Sequence, residues 1–238
     1  MHNFIAIPSA IKIFGLEEQH NYQKRKSNMS HPLNIKRAGH NLEQAKKAII
    51  MIHGRGGSAE DILSLSSYLQ VDNFALLAPQ AENHSWYPFS FIAPVQQNEP
   101  WLSSALDLID HTVQLALAQG IPAKDIYFFG FSQGACLTLE YLARHAQHYG
   151  GAVAIIGGVI GEEINHQNYS GDFAQTPILL GTSDPDFHVP LERVKTTASI
   201  LQKMNANVQL AIYSNGGHTI NREEIDLANE FVLKDVQQ

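Results

Sequence analysis

A serine lies between two glycines in the segment GFSQG (130–134). The apolar run IYFFGF (126–131) leads into it, and a segment of helical composition, ACLTLEYLARHA, follows. In a strand-to-helix turn of this G-x-S-x-G type, the glycines relieve crowding of backbone against backbone, and the serine hydroxyl stands clear of the sheet. A helix N-terminus also favours developing negative charge. The pattern therefore predicts that Ser132 is a nucleophile, the alternative being a tight turn with a surface serine.

A nucleophilic serine needs a base to remove its proton, and the base needs a group that orients it. His218 follows two glycines in NGGHTI (215–220), after the last predicted strand, and is the expected general base. Asp184 and Asp186 compete as the orienting acid in SDPDFHVP, and the spacing D-x-x-V-P favours Asp186. Both segments follow strands, at the edge where open α/β sheets place their ligands.

Acyl transfer passes through an oxyanion, which needs fixed N–H donors. The residue after the nucleophile, Gln133, supplies one donor from its backbone. The second is expected from the loop HGRGGS (53–58), through the backbone N–H of Arg55. His53 is expected to brace this loop instead of taking part in the chemistry.

A long aromatic connection, QAENHSWYPFSFIAPVQQNEP, spans residues 80–100. Ligand pockets are mostly apolar. Trp86 and Tyr87, with Phe89 and Phe91, are therefore candidates for substrate-binding residues that wall an acyl pocket. Core packing explains the same aromatic residues equally well.

The elements that must position these residues are short apolar strands alternating with helices. The expected strands are AIIMIH (48–53), FALLAP (74–79), IYFFGF (126–131), AVAIIGG (152–158), PILLGT (177–182) and VQLAIYS (208–214). Most are apolar at successive positions, which is typical of parallel strands covered on both faces. Helices are expected at 99–119 and 221–236, the second with a capping box of Asn221 and Glu224. The pattern predicts an α/β fold with a doubly wound, mostly parallel sheet and helices on both faces.

The composition argues against nucleic-acid binding, disulfide bonding and membrane insertion. The chain has 238 residues and a net charge of −7, which argues against a nucleic-acid partner. Its one cysteine, Cys136, excludes an internal disulfide, and no apolar run is long enough for stable membrane insertion. We expect a cytoplasmic protein with a poorly ordered N-terminal extension (1–30) and a single domain (31–238). Homodimer formation is left open.

Five motifs in order, HGRGGSAEDI, PQAENHSWYPFSFIAP, GFSQGACL, DPDFHVP and GGHTI, resemble the phospholipase/carboxylesterase family of the α/β-hydrolase superfamily. The resemblance implies a triad of Ser132, His218 and Asp186, with main-chain donors at Arg55 and Gln133. It also implies the α/β-hydrolase fold without a large lid, and cleavage of short- to medium-chain carboxylic esters without metal or cofactor. Acyl-protein thioesterase and lysophospholipase activity are the alternatives, and a non-catalytic protein that binds a small ligand is a further one.

Arg55 departs from the family pattern, because the thioesterases usually carry a leucine after His-Gly. One hypothesis is that its guanidinium reaches the mouth of the site and favours acidic or polar acyl groups. The other is a salt bridge to Glu60 or Asp61.

Overall fold

One seven-stranded sheet forms the centre of the molecule. The computed structural model describes residues 31–234, so the expected N-terminal extension, 1–30, lies outside the described residues. The strands are β1 (Ile35–Gly39), β2 (Lys47–Ile52), β3 (Phe74–Pro79), β4 (Ile126–Phe131), β5 (Gly151–Ile155), β6 (Pro177–Asp184) and β7 (Asn207–Ser214). Their order is β1-β3-β2-β4-β5-β6-β7, and every pairing is parallel except that of β1 with β3.

Six of these strands are the predicted ones, with boundaries that differ by a few residues. Consecutive positions of β2 through β6 are buried, as residues 48–52 illustrate. Burial of consecutive positions means that both faces of the sheet are covered, as the apolar runs predicted. The sequence reading missed β1, because IKRAG is short, charged and mostly exposed and so lacks the apolar pattern that marked the others.

Helices lie in most of the crossovers between parallel strands, and one more follows the last strand. They are α1 (Ala59–Ser64), α2 (Val95–Asn98), α3 (Trp101–Ala118), α4 (Gln133–Arg144), α5 (Leu191–Lys203) and α6 (Arg222–Ala228), which continues as a π turn (Asn229–Leu233). The apolar stripe predicted for α3 is buried: Leu102, Ala105, Leu106, Ile109, Val113 and Ala116 are each at most 8% exposed. Within residues 31–234, no helix has the length and apolarity required to cross a bilayer.

The capping box predicted at the start of α6 is confirmed. Asn221 Oδ1 accepts from the backbone N–H of Glu224 at 2.8 Å, and Glu224 Oε2 accepts from the backbone N–H of Asn221 at 2.9 Å. Glu224 is nevertheless only 2% exposed, and its other oxygen lies where a side chain at Gly181 of β6 would stand. Burial raises the pKa of Glu224 to about 7, against the opposing effect of the hydrogen bond from Asn221.

This buried carboxyl makes folding stability depend on pH. Between the ordinary pKa of 4.5 and the raised value near 7, the folded state binds more protons than the unfolded state. The free energy of unfolding therefore falls as pH rises through this window. In Glu224→Gln, which keeps an oxygen acceptor but has no charge, this contribution is absent. From pH 5 to pH 8, the stability of the wild type relative to the variant should fall by up to about 3 kcal/mol.

Urea denaturation of both proteins at the two pH values measures this difference. The effects of all other titrating groups cancel in the comparison. A stability difference that is the same at pH 5 and pH 8 would contradict the assignment.

Candidate active site

The predicted site residues meet at the carboxyl edge of the sheet. Ser132 follows β4, Asp186 follows β6 and His218 follows β7. The loop at residues 53–58 follows β2, which is the neighbour of β4. Because these strands run parallel, their C-terminal ends bring side chains distant in sequence to one place.

Ser132 has a backbone conformation that L-residues rarely adopt, with φ 54° and ψ −117°. Such conformations cost about 1–3 kcal/mol and persist where the surroundings hold them. Here the N–H of Ser132 donates to the carbonyl of Ile155 at 2.9 Å, and the Ser132 carbonyl accepts from the N–H of Cys136 at 3.0 Å. Backbone hydrogen bonds therefore hold the turn between β4 and α4 on both sides of the Ser132 side chain.

Both flanking glycines are required by close approach. A Cβ at Gly134 would lie 2.1 Å from the carbonyl oxygen of Ile52 and 2.6 Å from that of His53. A Cβ at Gly130 would lie 2.5 Å from both the carbonyl oxygen of Gly134 and Thr138 Oγ1. The first turn of α4 thus packs directly on the end of β2, which brings the 53–58 loop beside Ser132.

The close approach of Gly134 to β2 predicts that one added methyl group there lowers the stability of the protein strongly. Gly134→Ala would push against backbone of β2, which cannot move aside, and should lower the free energy of unfolding by about 3 kcal/mol or more. The matched control is Gly120→Ala, where φ is +85° and no atom lies within 4 Å of the new Cβ. That change meets only backbone strain, about 1 kcal/mol. Chemical denaturation of the two variants measures both values, and equal losses would contradict the steric account.

The side chains of Ser132, His218 and Asp186 form one hydrogen-bonded chain. Ser132 Oγ lies 2.8 Å from His218 Nε2, and His218 Nδ1 lies 2.8 Å from Asp186 Oδ2. A carboxylate only accepts, so Nδ1 carries the ring proton and Nε2 is left to accept from the serine hydroxyl. This arrangement can move a proton from Ser132 to His218.

Asp186, and not Asp184, contacts His218. The Asp186 side chain is fully buried, and its second oxygen accepts from the N–H groups of His188 at 2.7 Å and Val189 at 2.8 Å. Burial alone would raise the pKa of Asp186, but the hydrogen bonds from His188, His218 and Val189 outweigh it and lower that pKa. The carboxylate therefore stays ionised at neutral pH. Asp184 is exposed, and its backbone carbonyl accepts from the N–H of Asn215.

Two rings pack against the His218 imidazole. The Phe131 ring lies 5.6 Å from it, and the His188 ring meets it edge-on at 5.0 Å. His188 thus flanks His218 and does not replace it as the partner of Ser132. The side chain of His218 is 29% exposed, so the site is open to solvent.

In the loop at 53–58, which is expected to supply an oxyanion donor, the Gly54–Arg55 peptide has a fixed orientation beside Ser132. The carbonyl of Gly54 accepts from His53 Nδ1 at 2.7 Å and from the N–H of Gly57 at 3.2 Å. The Gly54–Arg55 peptide is trans, so the N–H of Arg55 points away from these two donors. A Cβ at Gly54 would lie 3.4 Å from Ser132 Cβ, which shows how near this loop runs to the serine. The N–H of Gln133, in the first turn of α4, has no intrahelical acceptor.

Two buried neutral histidines support the loops around the site. His53 Nε2 accepts from the N–H of Ala81 at 3.2 Å, so its proton is on Nδ1. His31 accepts from the N–H of Glu82 at 3.0 Å and donates to the Trp86 carbonyl at 2.8 Å. Burial lowers the pKa of both rings. The bracing role expected of His53 is confirmed, whereas the sequence reading missed His31, whose partners lie more than 50 residues away and leave no local signal.

Trp86 and Tyr87 lie in the core, with side chains 0% and 2% exposed. Trp86 Nε1 donates to the His53 carbonyl at 2.8 Å, and the Trp86 backbone N–H donates to Gln133 Oε1 at 2.9 Å. The structure therefore shows that Trp86 and Tyr87 pack in the core, and their contact with substrate stays a prediction. Of the other two aromatic residues, Phe91 is 6% exposed and Phe89 is 53% exposed.

The Arg55 side chain binds neither of the carboxylates considered for it. Glu60 pairs with Lys36 at 2.9 Å, and Asp61 accepts from the backbone N–H of Ser58 at 2.8 Å. The salt-bridge hypothesis is therefore wrong. The guanidinium instead donates to Ser85 Oγ and to the carbonyls of Pro88 and Phe89.

Cys136 has no features of a nucleophile. It is 2% exposed, and burial raises the pKa of its thiol to about 12. Across residues 31–234, no group of three or more His, Cys, Asp or Glu side chains is arranged to hold a metal ion.

The family model for phospholipase/carboxylesterase matches residues 38–235, which is most of the chain. The chain belongs to this family. It is a hydrolase with the α/β-hydrolase fold, and it cleaves carboxylic esters. The resemblance drawn from the five motifs and the predicted fold class are both confirmed.

Relatives and solved structures agree with this assignment. A phospholipase/carboxylesterase from Dyadobacter fermentans is 53% identical, with a TM-score of 0.85 over 86% of this chain and 98% of that one. A probable carboxylesterase from Arabidopsis thaliana is 24% identical over 81% of this chain and 80% of its own. Acyl-protein thioesterase 1 from Eremothecium gossypii is 27% identical over 80% of this chain and 88% of its own.

Proposed function

We propose that Ser132, His218 and Asp186 are the catalytic triad of a carboxylesterase that forms an acyl-enzyme from short- to medium-chain esters. The observation that carries the proposal is the chain of two 2.8 Å hydrogen bonds from Ser132 Oγ through the His218 imidazole to Asp186. The strained backbone of Ser132 supports it, because such conformations cluster at reactive sites.

In the acylation half-reaction, Ser132 Oγ attacks the ester carbonyl carbon while its proton passes to His218 Nε2. The carbonyl π electrons move onto oxygen, and the oxyanion accepts hydrogen bonds from the backbone N–H groups of Arg55 and Gln133. The tetrahedral intermediate then breaks its bond to the alcohol oxygen, which takes the proton from Nε2. Asp186 keeps the imidazolium oriented and compensates its charge throughout.

Deacylation repeats the same steps with water as nucleophile. Water attacks the acyl carbon and gives a proton to His218 Nε2, and the oxyanion forms at the same two N–H groups. Collapse breaks the bond to Ser132 Oγ, which regains the proton, and the carboxylic acid leaves. Each half-reaction uses the imidazole once as base and once as acid.

The preference for short and medium acyl chains is supported by the open site. Ser132 is partly buried, the side chain of His218 is 29% exposed, and Phe89, whose backbone carbonyl binds Arg55, is itself exposed. The connection at 80–100 is bonded down to Arg55 and Gln133. A cytoplasmic location stays part of the proposal, since a protein with one buried thiol needs no oxidising compartment.

Hydrolysis of p-nitrophenyl esters from acetate to laurate tests the proposal. The wild type should turn over the shorter esters fastest, and Ser132→Ala should lose activity by about 1,000-fold or more, because no nucleophile remains. The variant must keep the wild-type denaturation midpoint. Turnover that survives in Ser132→Ala, or a wild type inert on all these esters, would overturn the assignment.

The two aspartates give a sharper test of the triad. Asp186→Asn should lower kcat by about 100-fold or more, since an amide can donate to His218 and leave it in the wrong tautomer. The matched control Asp184→Asn, two residues away in an exposed position, should stay within about 3-fold of the wild type. Steady-state kinetics on p-nitrophenyl butyrate measures both, and the reverse order would reject Asp186.

Thioester hydrolysis is the second candidate function, and the relatives that are named acyl-protein thioesterase favour it. The same triad would cleave an acyl thioester, with a thiol as leaving group. Rates on matched p-nitrophenyl and thiocholine esters of one acyl chain distinguish the two activities. A thioester preference of about 10-fold or more in kcat/KM would make thioesters the favoured class.

A further inference from the structure

The two expected oxyanion donors are tied to one loop by their side chains. On one side, Arg55 Nη1 donates to Ser85 Oγ and to the Pro88 carbonyl, each at 3.0 Å. Arg55 Nη2 donates to the Phe89 carbonyl at 2.8 Å. Residues 85–89, here termed the bracket loop, therefore supply every acceptor found for this guanidinium.

Gln133 binds the same loop from the other side. Its Oε1 accepts from the Trp86 N–H at 2.9 Å, and its Nε2 donates to the Tyr87 carbonyl at 2.8 Å. Ser85 Oγ donates to the Tyr87 carbonyl at 3.1 Å, which connects the two sets of hydrogen bonds within the bracket loop. The backbone groups of Trp86 and Tyr87 thus bind Gln133, and those of the next two residues, Pro88 and Phe89, bind Arg55.

The two attachments differ in exposure. Gln133 is 5% exposed, so its amide bonds are shielded from water. The Arg55 guanidinium is exposed, but it is planar and has several N–H donors, so it can bind several acceptors at once. The peptide plane that carries the Arg55 N–H is held at its other end by His53, through the Gly54 carbonyl.

We infer that the Arg55 guanidinium is a positioning group for catalysis: by binding the bracket loop, it holds the Arg55 N–H at a fixed distance from the N–H of Gln133. This inference rests on the proposed function, in which both N–H groups bind the oxyanion. The guanidinium touches neither the ester nor the reacting atoms. A leucine at this position would keep other attachments of the loop at 53–58, such as the hydrogen bond from the Gly56 N–H to the His84 carbonyl at 2.7 Å, but would remove the three that the guanidinium makes.

The oxyanion is absent from the bound ester and develops only as Ser132 Oγ attacks. Donors that are held less firmly should therefore slow the chemical step and leave the binding of the ester unchanged. A missing donor costs about 100- to 1,000-fold, and a displaced donor should cost less. Arg55→Met keeps an unbranched apolar stem but has no donor. It should lower kcat by about 10- to 100-fold and leave KM within about 2-fold.

The inhibition constant of a boronic acid distinguishes a positioning role from a merely structural one, because a merely structural role would leave it unchanged. The boronic acid forms a tetrahedral adduct with Ser132 Oγ and places an oxygen where the oxyanion stands. Its inhibition constant should weaken in Arg55→Met by a factor that parallels the fall in kcat. Arg55→Lys keeps the charge without the fork and should lie between wild type and Arg55→Met.

The matched control is Arg37→Met, which removes an exposed arginine from β1 at the far edge of the sheet. It should leave kcat, KM and boronic-acid inhibition unchanged. Ser85→Ala, which removes one acceptor of the guanidinium, provides a second approach if Arg55→Met does not fold. We expect a change of the same kind, about 3- to 10-fold in kcat.

Three results would overturn the inference while the proposed function stands. One is unchanged kcat and boronic-acid inhibition in Arg55→Met and Ser85→Ala. Another is a fall in kcat without weaker inhibition, which would assign the loss to another step. The third is a rise in KM confined to carboxylate-bearing esters, which would mean that the guanidinium binds substrate. Failure of the proposed function differs from all three, because wild-type turnover would then be absent or independent of Ser132.

Discussion

The left-handed backbone of Ser132 is the constraint on which the rest of the site depends. It turns the chain from β4 into α4 within one residue, and the first turn of α4 then lies directly on the end of β2. Only glycine at 134 permits that approach, because the Ile52 carbonyl occupies the place of a side chain. The loop after β2 is consequently forced against the nucleophile. The position of the expected oxyanion donors follows from the elbow itself.

Buried polar groups also restrict the geometry around that elbow. The Asp186 side chain is buried and accepts from three N–H groups. His53 and His31 are buried as neutral rings, and each binds a defined donor and acceptor. Such groups are expensive to leave unpaired, so they restrict the backbone they bind. The site is therefore organised before an ester arrives. Organisation in advance is what electrostatic stabilisation of a transition state requires.

Local patterns predicted much of this fold because their causes are local. Runs of apolar residues give buried parallel strands whichever partner they meet, and the glycines at 130 and 134 mark the elbow by their own lack of side chains. The strand β1 left no such pattern, since it is stabilised at the sheet edge by backbone pairing with β3 and has mostly exposed side chains. The aromatic residues of the 80–100 connection were ambiguous for a different reason, because composition does not reveal whether a ring points into the core or towards the site.

The sequence by itself determined the fold class, the family, and the order of serine, acid and histidine after successive strands. Each of these follows from residue type and short-range spacing. Only the tertiary structure decided that Asp186 and not Asp184 contacts His218, that Trp86 and Tyr87 are buried, and that Arg55 binds residues 85–89. These outcomes depend on side-chain directions and on contacts between residues about 30 or more positions apart. Such contacts exist only once the sheet has brought the loops together.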